Sequence, residues 1–260
     1  NFAIVVPVYR TELSPLEKLC LLRLRHLFPA NAYLAAPRGL CLDAYINLWP
    51  ELRVKVFDPA YFASVKTYNK LMLDPGFYQP FACTYEWMLI HQLDAFLFHG
   101  DLGSFCEMPF DYFGAPWLPA QLVHPFIHKG YLLKLLGTRV SVGNGGLSLR
   151  RLGPTLELLT GVHAKPQRWT ANEDGFFAYW GLKSRKFRSC PLDVAARFAF
   201  EAQPEALYAL NGNTLPLGCH GLPKYSQKFY AELMRPLLAQ TEGVESHLIE
   251  TSMASLLGKE

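Results

Sequence analysis

The sequence predicts an α/β fold in one domain, a sheet wrapped by helices, and three observations predict it. Residues 3–8, Ala-Ile-Val-Val-Pro-Val, are a continuous apolar run, which is how a parallel strand buried on both faces reads. Strand and helix signals alternate from there on, the pattern of βαβ units. The strongest strand signal, starting at Trp87, ends in the polar residues Gln92 and Asp94. Open α/β sheets bind ligands at the carboxyl ends of their strands, so polar groups belong there. A chain of 260 residues can form one large domain or two small ones. With no internal repeat and no interdomain linker, one is the preferred reading.

The elements follow in order. After the first strand comes the polar turn Tyr9-Arg10-Thr11. Ser14 as N-cap, Pro15 in the first turn and Glu17 at the helix start then predict a helix to about residue 28. Residues 32–36 and 54–57 are short strands, the second ending at Asp58-Pro59. Residues 65–73 read as a helix carrying Lys66, Tyr68, Asn69 and Lys70. Residues 87–97 read as one long strand. Phe113-Gly114-Ala115-Pro116-Trp117 is a tight segment followed by a loop-like stretch to about residue 131. Residues 147–149 predict a strand, 154–159 and 173–180 helices, 215–218 a last strand and 226–238 a terminal helix. The polar residues from 240 onward predict a mobile tail.

Composition excludes several classes. Half the residues are hydrophobic, so a sizeable core is available and disorder is confined to the ends. The formal charge is only +3, with no basic block beyond residues 183–188, too weak a basic face for a nucleic-acid partner. The six cysteines, at positions 20, 41, 83, 106, 190 and 219, form no C-x-x-C pair, which argues against a zinc ribbon and for reduced thiols in a cytosolic protein. No run of about 18 apolar residues spans a membrane. The chain opens on Asn1-Phe2-Ala3 without Met or a visible signal peptide and is read as part of a larger multidomain protein.

Four polar motifs carry the candidate chemistry. Asp94, in Gln92-Leu93-Asp94, is a hard oxygen donor suited to Mg2+ or Mn2+, and Gln92 can hydrogen-bond a ribose or sugar. Alternatively Asp94 caps a turn. In Gly143-Asn144-Gly145-Gly146 the glycines permit positive φ and close backbone approach, and the Asn144 amide can bond sugar hydroxyls. The alternative is a β-hairpin, which Asn-Gly strongly signals. Glu173 and Asp174 follow Asn172 at a helix start. Either they cap it, or one acts as a general base, kept ionised by the helix dipole. His220, between small residues in Gly218-Cys219-His220-Gly221, is a structural histidine or a ligand. Arg10, Lys66 and Asn69 are candidate nucleotide contacts, or a solvated turn and helix face. Trp117 and Trp169 are read as buried anchors rather than sugar platforms.

As a set these motifs resemble the GT-A glycosyltransferase superfamily. The stretches that carry the likeness are Gln92-Leu93-Asp94, Asn144-Gly145-Gly146, Glu173-Asp174 and His220, in that order. More closely, Val6-Pro7-Val8-Tyr9-Arg10, Tyr68-Asn69-Lys70-Leu71-Met72, Gly114-Ala115-Pro116-Trp117 and Gly218-Cys219-His220-Gly221 look like an uncharacterised family of bacterial and fungal glycosyltransferase-like proteins, over about residues 2–232. The resemblance implies a GT-A-like (Rossmann-like) mixed central sheet flanked by helices, with one domain at 1–238 and a mobile tail at 239–260. The nucleotide-binding half would be about 1–100 and the acceptor half about 101–238. It implies a nucleotide-sugar donor, UDP-linked by preference, contacted by Pro7, Tyr9, Arg10, Lys66, Asn69, Gln92, Asp94, Asn144, Gly145 and Gly146. It also implies Mn2+ or Mg2+ shared by Asp94 and His220, and Asp174 as base if the enzyme inverts, with Glu173 beside it. The first Asp of the usual metal triplet is missing, since Gln92 stands there.

The expected activity is sugar transfer to a saccharide or glycolipid acceptor in bacterial surface polysaccharide or lipopolysaccharide synthesis, in the cytoplasm, at the inner face of the membrane and peripherally associated with it. Two other classes compete. One is a non-catalytic sugar- or nucleotide-binding module of the same fold. The other is a nucleotidyltransferase, which would favour glycines after the first strand, where this chain has only Arg10.

Overall fold

The apolar run at the start of the chain is a central strand whose two faces are both covered by core, which is why it has no polar face. The structure, a computed structural model, describes residues 1–127, 129–169 and 171–258. The first half runs β1 (Phe2–Pro7), α1 (Pro15–Leu27), β2 (Ala32–Pro37), α2 (Asp43–Ile46), β3 (Arg53–Phe57), α3 (Val65–Met72), α4 (Pro75–Ala82), β4 (Trp87–His91) and β5 (Phe96–Leu97). Then come α5 (Gly103–Cys106), β6 (Tyr112–Gly114), β7 (Pro116–Val123), α6 (Tyr131–Leu136), β8 (Thr138–Val142), β9 (Leu147–Arg151), α7 (Leu152–Thr160) and α8 (Glu173–Lys183). The chain closes with α9 (Leu192–Phe198), β10 (Ala199–Phe200), α10 (Pro204–Leu210), β11 (Gly218–Cys219), α11 (Gln227–Leu238) and α12 (Ser246–Leu257).

The main sheet has the order β3-β2-β1-β4-β9-β6. β3, β2, β1 and β4 are parallel, and β9 runs antiparallel to both β4 and β6, so the sheet is mixed. The side chains of β1 alternate between two cores. Ile4 and Val6 join Leu21, Leu24 and Trp49 on one face; Ala3 and Val5 join Phe77, Phe81 and Phe176 on the other. α1 begins as the sequence predicts. Ser14 accepts from the Glu17 N–H and Glu17 accepts from the Ser14 N–H, a reciprocal capping box.

Four expectations are corrected. Residues 87–97 are not one strand: β4 stops at His91, the chain turns through the bond from the Ala95 N–H to the Gln92 carbonyl, and β5 joins a small sheet with β10 and β11. The first part of the loop-like stretch after Trp117, to Val123, is instead in the strand β7, paired antiparallel with β8. The last strand is β11, residues 218–219 rather than 215–218. The expected tail from residue 240 contains α12, whose Ile249, Met253 and Leu256 are buried in a third core with Leu19, Tyr230 and Met234. All six cysteines are free thiols. Among the described residues no helix is long and apolar enough to cross a membrane.

Candidate functional site

The strand order reverses between β1 and β4: β1 has β2 on one side and β4 on the other, and the connections diverge there. A crevice opens at the carboxyl ends of such a pair. A cavity of about 830 Å³ occupies it, walled by Pro7, Tyr9 and Arg10 after β1 and by Gln92 and Asp94 after β4. Tyr68 and Asn69 of α3, Glu173 and Asp174 of α8, and Glu201, His220 and Lys224 also line it.

Two pairings in the small sheet assemble the cluster around His220. β5 and β11 are antiparallel with Phe96 opposite Cys219, which carries His220 past the turn that holds Asp94. Gly218 has to be glycine for this, since a Cβ there would lie 2.6 Å from the Phe96 carbonyl oxygen. β10 and β11 are parallel with Phe200 beside Cys219, which sets Glu201 level with His220. The outcome is a relay of side chains. His220 Nε2 is 3.2 Å from Asp94 Oδ1 and 3.0 Å from Gln92 Oε1, and its Nδ1 is 3.3 Å from Glu201 Oε1. Burial acts to lower the His220 pKa, but hydrogen bonds and charge from Asp94 and Glu201 outweigh it and raise it to about 9. Burial likewise acts to raise Asp94. The His220 hydrogen bond and charge, with help from Lys224, reverse that and hold the carboxyl below its ordinary range.

Among the described residues no three His, Cys, Asp or Glu side chains form a complete cation cage. Glu201 faces the far side of the imidazole, so only Asp94, His220 and the Gln92 amide oxygen converge on one point. That donor set, two oxygens and one nitrogen, suits Mg2+ or Mn2+ if other ligands complete the shell. Glu201 at Nδ1 is the partner that orients a ligating histidine.

The glycine loop is not a hairpin turn. β8 pairs with β7 while β9 pairs with β4 and β6, so residues 143–146 cross between sheets. Nor do these glycines use positive φ. They are glycines because of what packs against them. A Cβ on Gly143 would lie 2.3 Å from the Trp117 ring, on Gly145 2.1 Å from Glu173 Oε1, and on Gly146 2.1 Å from His220 Nε2. The loop is pinned from behind by the Tyr112 hydroxyl, which donates to the carbonyls of Gly143 and Asn144. The Asn144 Oδ1 accepts from the Gly146 N–H, so this end of the amide shapes the loop.

Glu173 and Asp174 open α8, as the sequence predicts, but Asn172 makes no side-chain cap. Glu173 is buried and accepts from Nη2 of Arg150 at 3.2 and 3.3 Å. Arg150 is itself wholly buried, stacked on the Phe177 ring and bonded to the Ser148 and Tyr78 hydroxyls. Burial first, then the charge and hydrogen bond of Glu173, push the Asp174 carboxyl well above the ordinary range, the direction opposite to that expected from the helix dipole.

Of the residues singled out in the sequence, Pro7, Tyr9, Arg10, Asn69, Gln92, Asp94, Asn144, Gly146, Glu173, Asp174 and His220 line the one cavity. Arg10 reaches it tied to Glu17. Two do not line it. Lys66 is exposed on the outer face of α3, and Gly145 lies against Glu173 and Asp174, behind the wall. Four residues were missed. Glu201 follows the two-residue strand β10, which has no sequence signal. Tyr68 bonds the Gln92 amide, and Lys224 is an exposed ammonium four residues past His220. Arg150 had a signal: a charge inside the alternating apolar run Leu147-Ser148-Leu149-Arg150.

Residues 51–220 match a family described as a protein of unknown function, DUF5672. Among curated proteins no sequence matches the chain. Crystal structures that share its architecture include the following two. One is the galactosyltransferase LgtC in complex with donor and acceptor sugar analogs, with a TM-score of 0.56 and 13% identity over 96% of this chain and 99% of that one. The other is mouse xyloside xylosyltransferase 1 in its apo form, with a TM-score of 0.50 and 14% identity over 85% of this chain and 97% of that one. The expected fold is therefore the observed one, a GT-A sheet flanked by helices.

Proposed function

The chain belongs to the DUF5672 family, and from that premise and its GT-A fold we propose that it is a glycosyltransferase using a nucleotide-diphosphate sugar and a saccharide or glycolipid acceptor. One observation carries the reading. A carboxylate–imidazole cluster, Asn144 and Gly146 of the glycine loop, and the Glu173–Asp174 pair face one cavity at the carboxyl ends of β1 and β4. Transfer to such an acceptor is a step of surface polysaccharide or lipopolysaccharide synthesis in a bacterial cytoplasm, and the expected catalytic domain, 1–238, extends to take in α12, whose Leu256 lines the cavity.

The residues divide the work. Pro7, Tyr9, Arg10 and Asn69 flank the nucleotide. Asp94, Gln92 and His220 face the diphosphate, with Lys224 alongside. Their donor set fits Mn2+ or Mg2+, which when bound neutralises phosphate charge. Asn144 and Gly146 let the donor sugar approach the backbone, and Arg150 fixes Glu173 at its edge.

Burial and Glu173 hold the Asp174 carboxyl above its ordinary range, and when protonated it donates a hydrogen bond. The route proposed is transfer without a protein base. The bond from the anomeric carbon to the phosphate oxygen breaks, a bond to the acceptor oxygen forms, and the departing phosphate oxygen takes the acceptor proton. The test is release of free nucleotide during incubation with a panel of UDP-, GDP- and dTDP-sugars, Mn2+ and water. No release with any UDP-, GDP- or dTDP-sugar, and no stabilisation by any nucleoside diphosphate, would sink the reading.

A further inference from the structure

The hairpin β7–α6–β8 is rooted at its base and bare at its tip. At the base, Trp117 and Val140 pack with Ala178 of α8, and Val123 lies against them. At the tip no residue of α6 is buried. Tyr131 is 77% exposed, Phe126 67% and Leu135 63%, and Leu132 and Leu136 are more than half exposed. Five of the thirteen large hydrophobic residues exposed among the described residues thus fall within residues 126–136. Scattered single exposures are ordinary, whereas a contiguous cluster marks an interaction surface.

The charges around the cluster have one sign. Lys129, Lys134 and Arg139 are exposed, and the sequence has no Asp or Glu between Asp111 and Glu157. On the helix, Tyr131, Leu135, Leu132 and Leu136 sweep one arc and Lys134 lies off it. Aromatic and leucine side chains on one face with cations at the edge are the features of a segment that lies in a lipid headgroup layer. A second copy of the chain fits less well, because a self-complementary contact would set Lys129, Lys134 and Arg139 against cations of the same kind.

We propose that the hairpin tip, built on Phe126, Tyr131, Leu132, Leu135 and Leu136 with Lys129, Lys134 and Arg139, docks this protein on the surface of an anionic lipid bilayer. The surface stands on its own exposure and charge. Its use, holding the cavity next to a glycolipid acceptor, rests on the transferase reading: β8 runs directly into the glycine loop, and α8, on which the hairpin is rooted, begins with Glu173 and Asp174.

The test is co-sedimentation of the whole chain with vesicles of phosphatidylcholine alone and of phosphatidylcholine with phosphatidylglycerol, at low and high salt. Binding is expected only to the anionic vesicles and to weaken with salt. Removing both cations in K134S/R139S should weaken it about 25-fold, about fivefold for each charge. L132S/L135S should weaken it by about tenfold or more, since apolar burial is lost. These residues lie on an exposed tip, so the variants should melt as the wild type does. The proposal is overturned if the wild type stays in the supernatant, if neutral vesicles bind it equally, or if either variant binds as the wild type does. It is also overturned if lipid-free protein is a dimer that the same substitutions dissociate, which would make the occupant a second copy. Stabilisation by UDP, measured separately on the wild type, reports on the nucleotide site, so failure there counts against the transferase reading and not against the docking surface.

Discussion

Oδ1 of Asp94 lies 3.2 Å from Nε2 of His220, and a single strand register makes that contact. β5 and β11 are two residues each, so a slip of one residue would turn His220 to the opposite face. The imidazole then sits between Asp94 and Glu201 and holds its proton more tightly than an isolated histidine. Stability, ligand affinity and pH are therefore linked at one side chain.

The first prediction concerns stability. The His220 pKa is about 9 in the folded protein against 6.5 for the free side chain. A raised folded pKa means that the stabilisation is complete below pH 6.5 and is lost as pH rises to about 9. The full contribution is on the order of 3 kcal/mol, from about 1.4 kcal/mol per pKa unit. Denaturant melts of the wild type should lose stability across pH 6.5–9, and H220N should lack that slope. Parallel pH profiles would show that the proton is not held as described.

A second prediction concerns metal. A cation at Asp94 and His220 must displace the Nε2 proton, so its binding should strengthen with pH up to about 9. Below that value the gain is about tenfold per pH unit. The rise in melting temperature with UDP should exceed its EDTA value most at pH 8.5, and D94A should abolish the difference. Equal stabilisation by UDP in Mn2+ and in EDTA at every pH excludes the metal role.

Asp174 gives a third. Its folded pKa is raised, so the native state holds a proton that the unfolded chain releases above its ordinary carboxylate pKa. Stability then falls as pH rises from that value towards the folded pKa. D174N removes the cost and should melt higher than the wild type at pH 8, with a smaller gain at pH 5. Its amide still donates a hydrogen bond, so kcat should drop less than about tenfold. A general base would cost about 10²–10⁴-fold, and a loss of that size would restore Asp174 as the base.

The glycine loop gives a fourth. Gly146→Ala puts a Cβ 2.1 Å from His220 Nε2 in the present geometry, so the imidazole must move. Overpacking of this kind costs about 1–3 kcal/mol, and the pH slope assigned to His220 should shrink with it. Gly153 in α7 is the control, because a Cβ there meets nothing within 4 Å. Gly153→Ala should be neutral or stabilising by up to about 1 kcal/mol. If the two substitutions behave alike, the close packing described for Gly146 is wrong.

The sequence told more about strands that are buried on both faces than about anything held by pairing alone. β1 and the polar end of β4 were readable because apolar runs and their interruptions are local. β7 was not, because Pro116 and Pro119 in one short stretch argue against a strand. α12 carried its signal at Ile249, Met253 and Leu256, but the polar run before it masked the spacing. In the cavity, Asp94, His220 and the Glu173-Asp174 pair stood out as polar motifs. Glu201 could not, because only the β10–β11 register places it by His220. The glycine loop was read for the wrong freedom: what matters is space for Glu173 and His220, which no local pattern encodes.

The last prediction tests the buried pair behind the loop. Arg150 is fully enclosed, and its guanidinium takes both Glu173 oxygens, the Ser148 and Tyr78 hydroxyls and the Phe177 ring. Burial works against its charge, but Glu173 and the surrounding tyrosines raise its pKa, so the cation stays. R150M keeps much of the volume and leaves Glu173 buried without its cation. Breaking a buried pair on one side costs about 3–5 kcal/mol, whereas replacing both partners can be close to neutral. R150M should therefore lose about that much, and R150M/E173Q should regain a large part of it in a double-mutant cycle. The recovered protein then separates structure from chemistry. If Glu173 also edges the donor sugar, R150M/E173Q should be stable yet show a higher KM for the donor. A stable double variant with the wild-type KM would confine Glu173 to the scaffold, and an R150M protein as stable as the wild type would mean that the pair is not buried as the structure shows.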